Sequence, residues 1–365
     1  VGGSRSGAAG AARQTGGAGD RLRGRGPRAA ARSRSACPIL VRMDTSHPVS
    51  GRTTTGRFAP SPSGRMHLGN IYSALMTWLS VRSQGGTLVL RIEDLDPRCA
   101  SPELARQIID DLRWLGLDWD EGPVYQRDRL DLYRAALERL EGLGLVYPCF
   151  CSRAELHAAS APHASDGTPV YAGTCRDLAP EQVAERARKR PAALRLRVPD
   201  EADPAGTVAF TDRVFGPRRE VLARECGDFL VRRSDGVFAY QLAVVVDDAA
   251  MGVTEVVRGR DLLGSVARQI YLQRLLGFAE PAYAHVPMLV APDGRRLSKR
   301  ERDCDLGELQ RVFGSPERLL GRLAFFAGMC EDDRPRSAAQ LADLFSWETV
   351  RRHRADIVID EPFFA

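Results

Sequence analysis

Residues 57–70 read RFAPSPSGRMHLGN, and this stretch constrains the chain around it more than any other. The run TTTGRF (53–58) reads as a short strand. Pro60, Pro62 and Gly64 then forbid regular structure in the loop that follows. From Leu68 the segment LGNIYSALMTWLSVRS has helical periodicity, with Leu68, Ile71, Leu75, Trp78 and Leu79 on one face. A strand, a tight loop and a helix N-terminus in this order form an anion site. Backbone N–H groups and the positive end of the helix dipole converge there on phosphate. Gly69 stands between His67 and Asn70, and its missing side chain lets a flat base or ribose approach the backbone.

The rest of the chain alternates in a way that predicts an α/β fold with a doubly wound parallel sheet. TLVLRI reads as a strand, and Ser101 to Leu115 as a helix with Ser101 at its N-cap and Pro102 in first position. RLDLYRAALERLEGLG is a further helix, closed by Gly142 and Gly144. Residues 148–180 lose periodicity and gather Cys, Pro and Gly, as in a small insertion held by something other than a core. Beyond it, ALRLRV, TVAFTD and VTEVVRG read as strands, and DLLGSVARQIYLQRLLG as a helix with Asp261 near its start. DFLVRR–SDG–VFAYQLAVVVDD reads as a hairpin whose second strand is long and apolar. PAYAHVPMLVAP leads into the basic loop RRLSKR (295–300), and the tail SPERLLGRLAFFAG and SAAQLADLFSWETVRR is helical.

With 365 residues the chain can bury a large core, and no apolar run approaches the roughly 18–20 residues of a membrane-spanning helix. The net charge of +5 is unevenly spread. Residues 1–42 hold nine Arg and one acidic residue, Asp20, so the remainder is slightly negative. This leader is rich in Gly, Ala, Ser and Arg, which disfavours a packed structure. Its composition is similar to that of an organelle transit peptide; the plainer reading is a disordered extension, with translation starting near Met43. Eight scattered cysteines without a secretory signal favour free thiols and a metal site over disulfides.

HLGN followed about 230 residues later by RLSKR resembles the HIGH and KMSKS signatures of class I aminoacyl-tRNA synthetases. The flanking RFAPSPSG and RIEDLDP resemble the glutamyl branch. The resemblance implies a Rossmann-like catalytic domain with a small zinc-containing insertion and a short helical C-terminal region. The expected organisation is a leader over 1–50, the first half of the catalytic nucleotide-binding domain over 51–147, and a zinc insertion over 148–190. The rest of the catalytic domain with the KMSKS-like loop follows over 191–300, and a helical end over 301–365.

The chemistry implied is attack of a carboxylate on the α-phosphate of ATP, with Mg²⁺ accompanying the nucleotide. Its transition state is stabilised by positioned donors more than by a base. His67, Asn70 and Lys299 are the expected catalytic donors. Asn70 replaces the second histidine of HIGH and keeps a donor, and Arg296 replaces the first lysine of KMSKS. ATP would also meet Pro60, Gly64, Gly69, Leu297 and Ser298, with Gly294 as the hinge of the closing loop. Glutamate carries one carboxylate that reacts and one that must be recognised, and an arginine fork suits the second. The resemblance carries glutamate binding to Arg57, Phe58, Ala59, Pro60, Ser61, Glu93, Tyr240 and Arg258. Glu93 would pair with the ammonium, and Gln241 and Leu242 follow Tyr240 in the pocket wall. Asp94 and Asp96 are read as bracing the next turn.

Cys149 and Cys151 in PCFC, with Cys175 on a nearby loop, suit tetrahedral zinc. The resemblance supplies Tyr171 of YAGTC as fourth ligand, with His157 and His163 as competitors; the site is structural. Only 65 residues follow Arg300, where a full glutamyl-tRNA synthetase carries a large helical anticodon-binding region. That pattern is similar to the truncated glutamyl-queuosine tRNA(Asp) synthetases. It implies tRNA-independent activation of L-glutamate and transfer to queuosine in the anticodon loop of tRNA(Asp), by a cytoplasmic monomer. The alternatives are a short synthetase charging a tRNA 3′ end and a non-catalytic tRNA-binding paralogue.

Overall fold

A computed structural model describes residues 53–97, 101–158, 170–295, 297 and 305–364, without the side chains of Arg153, His157 and Ala158. All of these belong to the compact unit Asp44–Ala365. The leader lies outside the described residues.

The chain begins with β1 (Thr55–Phe58), α1 (Leu68–Ser83), β2 (Thr87–Ile92), α2 (Pro102–Trp114) and β3 (Glu121–Tyr125). The three strands are parallel in the order β1-β2-β3, with Thr55 opposite Thr87 and Phe58 opposite Leu90. Ser101 accepts from the N–H of Leu104 as the N-cap of α2. After α3 (Leu130–Gly142) come β4 (Val146–Cys149), α4 (Arg153–Ala158), α5 (Pro180–Lys189) and β5 (Ala193–Leu196). A hairpin of β6 (Thr207–Asp212) and β7 (Gly216–Val221), the turn α6 (Leu222–Glu225) and β8 (Phe229–Arg232) follow. β4, β5 and β8 make a separate antiparallel sheet.

α7 (Tyr240–Ala250), β9 (Glu255–Gly259), α8 (Val266–Leu276) and β10 (Ala282–Val286) return the chain to the main layer. β10 is parallel to both β6 and β9, in a sheet ordered β7-β6-β10-β9. The parallel β1-β2-β3 sheet and this mixed sheet meet where the Thr254 N–H donates to Thr55 O at 2.9 Å and Arg57 Nη1 donates to Val257 O at 3.3 Å. β1 therefore has β2 on one side and β9 on the other, so the strand order runs outward from this point through β2 and β3 one way and through β9 and β10 the other. Ligands of open α/β sheets bind in the crevice at such a switch point.

The predicted hairpin around SDG differs from the structure. Its first strand is β8, but QLAVVVDD lies in helix α7. A short apolar run does not separate a buried strand from a buried helix by periodicity, and its three valines favour a strand only weakly. Leu242 to Asp248 are all buried, so packing on every side decides the outcome. Burial also corrects the single apolar face expected of α1. Tyr72, Ala74, Met76, Thr77 and Ser80 are buried as well, because α1 lies on β1 and β9 and is covered by α11 (Ala338–Leu344).

The C-terminal elements are β11 (Leu289–Val290), α9 (Leu306–Phe313), α10 (Pro316–Phe326), α11, α12 (Trp347–Arg352), β12 (Ile357–Val358) and α13 (Glu361–Phe364). The stretch SAAQLADLFSWETVRR is two helices: Phe345 is extended, and Ser346 caps α12 by accepting from the Glu348 N–H. β12 pairs in parallel with β11. α10 approaches the backbone of residues 334–336 so closely that a Cβ on Gly321 would lie 2.1 Å from Arg334 O. Ala is the better helix former by up to about 1 kcal/mol, yet the clash with a backbone oxygen outweighs that gain. Gly321→Ala is expected to cost about 1–3 kcal/mol, read as a lower denaturation midpoint. A raised midpoint would mean that the 334–336 segment yields freely.

Candidate active site

The loop between β1 and α1 is clamped on three sides. The Glu93 N–H, just beyond β2, donates to Pro60 O at 3.0 Å. Asp111 on α2 accepts from the Met66 N–H at 3.3 Å and pairs with Arg65 at 3.2 Å. The Leu306 N–H donates to Met66 O at 2.9 Å. His67 is the N-cap of α1, and its Nδ1 accepts from the Asn70 N–H at 3.3 Å. In the neutral ring the proton then sits on Nε2. A Cβ on Gly69 would come within 3.1 Å of the His67 ring.

This loop is one wall of a cleft of about 420 Å³. The other walls come from the C-terminal end of β9, the turn at Asp261 and Leu262, residues 287–289, and the N-terminus of α7. Arg57, Phe58, Ala59, Pro60, Ser61, Glu93, Tyr240 and Arg258 all line it, as do Gly64, His67, Gly69, Asn70 and Leu297. Arg296, Ser298 and Lys299 lie outside the described residues. Gly294 holds a left-handed turn (φ +79°) just before them. Of the residues following Tyr240, Gln241 hydrogen-bonds Ser265 and Gln269, and Leu242 is in the core.

The floor of the cleft is charged and buried. Arg57 reaches Asp248 on α7 at 3.3 Å. Arg91 on β2 is fully buried, pairing with Asp248 at 2.6 Å, Glu93 at 3.1 Å and Asp247 at 3.7 Å. Burial pushes the Glu93 carboxyl above its ordinary value, against the pull of Arg91 and Arg57. Burial acts on Asp248 in the same sense, but there Arg91 and Arg57 win and hold its carboxyl below the usual range. Asp247 turns away to accept from Gln126, Arg129 and Tyr133.

Arg258 is held differently. Its Nε donates to His285 Nε2 at 3.0 Å, Nη2 to Leu262 O at 3.2 Å, and Nη1 to Tyr240 Oη at 3.5 Å. His285 is in turn bound through Nδ1 to Asp212 at 2.7 Å. Arg91, Asp248, His285 and Asp212 were not among the expected site residues. Arg91 and Asp248 had a signal, since a charged residue inside an apolar run needs a buried partner. Asp94 accepts from the Arg127 N–H at 3.0 Å, and Asp96 pairs with Arg233 at 2.8 Å, so both reach other parts of the fold; residues 98–100 of the turn they were read as bracing lie outside the described residues.

Residues 53–324 match the model of the class I tRNA synthetases (E and Q), catalytic domain. The chain belongs to this synthetase family. It is 49% identical over 311 residues to a glutamyl-Q tRNA(Asp) synthetase of Symbiobacterium thermophilum, covering 81% of this chain and 94% of that protein. A second protein of that name, from Nitratidesulfovibrio vulgaris, is 48% identical over 306 residues. Glutamate–tRNA ligase 1 of Halorhodospira halophila is 44% identical across 80% of this chain and 62% of its own length. The fold is similar to that of a glutamate-tRNA synthetase from Elizabethkingia anophelis, with a TM-score of 0.72 and 24% identity over 86% of this chain and 69% of that one. The protein is thus an aminoacyl-tRNA-synthetase-like ligase of class I, with the expected parallel α/β fold.

A second cluster of this synthetase lies outside the cleft, at the small antiparallel sheet. The sulfurs of Cys149, Cys151 and Cys175 lie within 4.8 Å of one another. Tyr171 Oη is 3.5 Å from Cys149 Sγ and 3.7 Å from Cys151 Sγ, and it accepts from the Cys175 N–H at 2.8 Å. Cys151 and Cys175 sulfurs are 3.7 Å apart. Tetrahedral zinc with Zn–S bonds of about 2.3 Å holds its sulfurs at roughly this separation, so the donor set fits such an ion. The Arg195 guanidinium lies 3.7 Å over the Tyr171 ring, adding positive charge beside the phenol. His163 and the His157 side chain lie outside the described parts. Among the described residues no cysteine is in a disulfide.

Asp248 gives a test of the buried charges. Its carboxyl is depressed in the folded protein, so the stability it contributes is present above the unfolded carboxylate value of about 4 and is lost as pH falls through the folded one. Asp248→Asn is expected to lower the unfolding free energy by about 3–5 kcal/mol near neutral pH. In denaturant titrations the gap to wild type should narrow on acidification below about pH 4. A gap independent of pH would show that the charge is not what holds the floor together.

Proposed function

We propose that this synthetase activates L-glutamate with ATP, without tRNA, and transfers it to the queuosine base at the wobble position of tRNA(Asp). The observation that carries the reading is the meeting, in one cleft, of the His67–Asn70 helix entrance with Arg57, Arg258, Glu93 and Tyr240. Phosphate-binding and carboxylate-binding groups there face the same space.

In the first step an α-carboxylate oxygen of glutamate attacks the α-phosphorus, the bond to the bridging oxygen breaks, and pyrophosphate leaves. His67 Nε2–H, the Asn70 amide and the N-terminus of α1 donate to the non-bridging oxygens as charge develops on them. Mg²⁺ bound with ATP neutralises phosphate charge. Arg57 and Arg258 receive the carboxylate that does not react, and Glu93 the ammonium. Lys299, with Arg296 and Ser298, follows the departing pyrophosphate. In the second step a hydroxyl of the cyclopentene diol of queuosine attacks the acyl carbon, and AMP leaves. Cys149, Cys151, Tyr171 and Cys175 hold a structural zinc ion, which braces the small sheet.

The acceptor is favoured by the near full-length match to the glutamyl-Q relatives. Charging of a tRNA 3′ end is the second reading, supported by the match to the Halorhodospira ligase. The deciding assay is glutamate transfer to tRNA(Asp) with and without queuosine, with the attachment site mapped. Labelling of the queuosine base alone is expected; labelling of a 3′ end would replace this acceptor with the second reading. Lys299→Ala should slow glutamate-dependent pyrophosphate exchange by about 10²-fold or more, and near wild-type exchange would remove the lysine from the reaction. Cys149→Ser should lose bound zinc and thermal stability together, measured by metal analysis and melting; unchanged zinc stoichiometry would place the ion elsewhere.

A further inference from the structure

Among the described residues two arginines line the cleft, and the fold holds them in opposite ways. Arg57 is paired with a carboxylate, Asp248, so much of its charge is answered inside the protein. Arg258 is buried to the same degree, yet among the described residues it forms no ion pair. Its Nε is a donor, so the atom facing it, His285 Nε2, accepts, and the single proton of the ring sits on Nδ1. That proton is directed at Asp212 Oδ2, 2.7 Å away. The tautomer is thereby set from both ends.

We propose that His285, pinned by Asp212, is a positioning residue that orients the Arg258 guanidinium toward the free carboxylate of bound glutamate without neutralising its charge.

A carboxylate in place of the imidazole would hold the arginine as firmly, but it would compete with the substrate for the same positive charge. A neutral acceptor fixes the plane of the guanidinium and leaves the charge to be answered by the ligand. The ring stays neutral for reasons visible around it. Burial lowers its pKa to about 4, the hydrogen bond to Asp212 works in the opposite sense, and the positive charges of Arg258 and Arg57 add to the lowering. Tyr283, on the same strand, stacks beside it with ring centroids 6.4 Å apart. Asp212 is itself anchored independently of the ring. It accepts from the N–H groups of Val214, Phe215 and His285, at 2.9, 2.9 and 3.1 Å. A change of the His285 side chain therefore leaves Asp212 with three donors.

This inference rests on the reading that Arg258 binds glutamate, and the experiment separates the two. Glutamate-dependent pyrophosphate exchange is measured on the full chain, with KM determined for glutamate and for ATP, and melting curves confirm folding. His285→Leu keeps the volume and removes the acceptor. The expected result is a KM for glutamate raised about 10- to 100-fold with the KM for ATP within twofold. His285→Gln offers Oε1 near the place of Nε2 and is expected to recover most of that loss. A folded His285→Leu with unchanged KM for glutamate, or His285→Gln no better than His285→Leu, would overturn the positioning role. Arg258→Ala tests the underlying reading: an unchanged KM for glutamate there would remove Arg258 from the binding site, whatever the histidine variants do.

Discussion

Asp248 lies between Arg57 and Arg91, and the cleft depends on that three-body contact. Three elements of the fold meet in it. Arg57 belongs to β1, Arg91 to β2 and Asp248 to α7, so one carboxylate ties the two halves of the catalytic unit. Removing Asp248 would take from Arg57 the carboxylate it pairs with inside the fold, which costs far more than an exposed pair could contribute. Burial also makes the contact directional. Arg57, which lines the cleft, is held by a group that the fold has brought to the switch point.

The same requirement explains why α7 is helical despite its valines. In a strand Asp247 and Asp248 would point to opposite faces. In a helix they diverge by roughly 100°, and both reach the interior. Asp247 gathers Gln126, Arg129 and Tyr133, while Asp248 gathers Arg57 and Arg91. Such a constraint is tertiary and leaves no periodic trace.

What was legible in the sequence follows the same division. The strand, loop and helix at Thr55–Ser83 could be read because local rules agree there: prolines and glycine break the chain, and apolar periodicity from Leu68 marks the helix. His67, Asn70, Arg57, Glu93, Tyr240 and Arg258 were found through motif wording, and all line one cleft. Asp248, Arg91, His285 and Asp212 were not found, because their partners lie tens to more than a hundred residues away. The cysteine cluster was legible from spacing, but the approach of Tyr171 Oη to two of its sulfurs is a fact of folding. In general the cleft-lining residues that motifs named were readable, and the buried residues that hold them were not.

The C-terminal elements show that the holders extend beyond the catalytic sheet. Leu306 bonds the backbone of Met66, next to His67, and Asp305 lies opposite His67 as an isolated bridge. β12 pairs with β11, and the Ile357 and Ile359 N–H groups donate to Met288 O and Val290 O. Asp356 receives both the Met288 N–H and the Arg260 guanidinium, one residue before the Asp261 turn that lines the cleft. The tail thus grips the loop between β1 and α1 at one edge of the cleft and β11 at another. The links from Leu306 to Met66 and from Ile357 and Ile359 to Met288 and Val290 are backbone hydrogen bonds, with no side-chain freedom to absorb a displacement of α9 or β12.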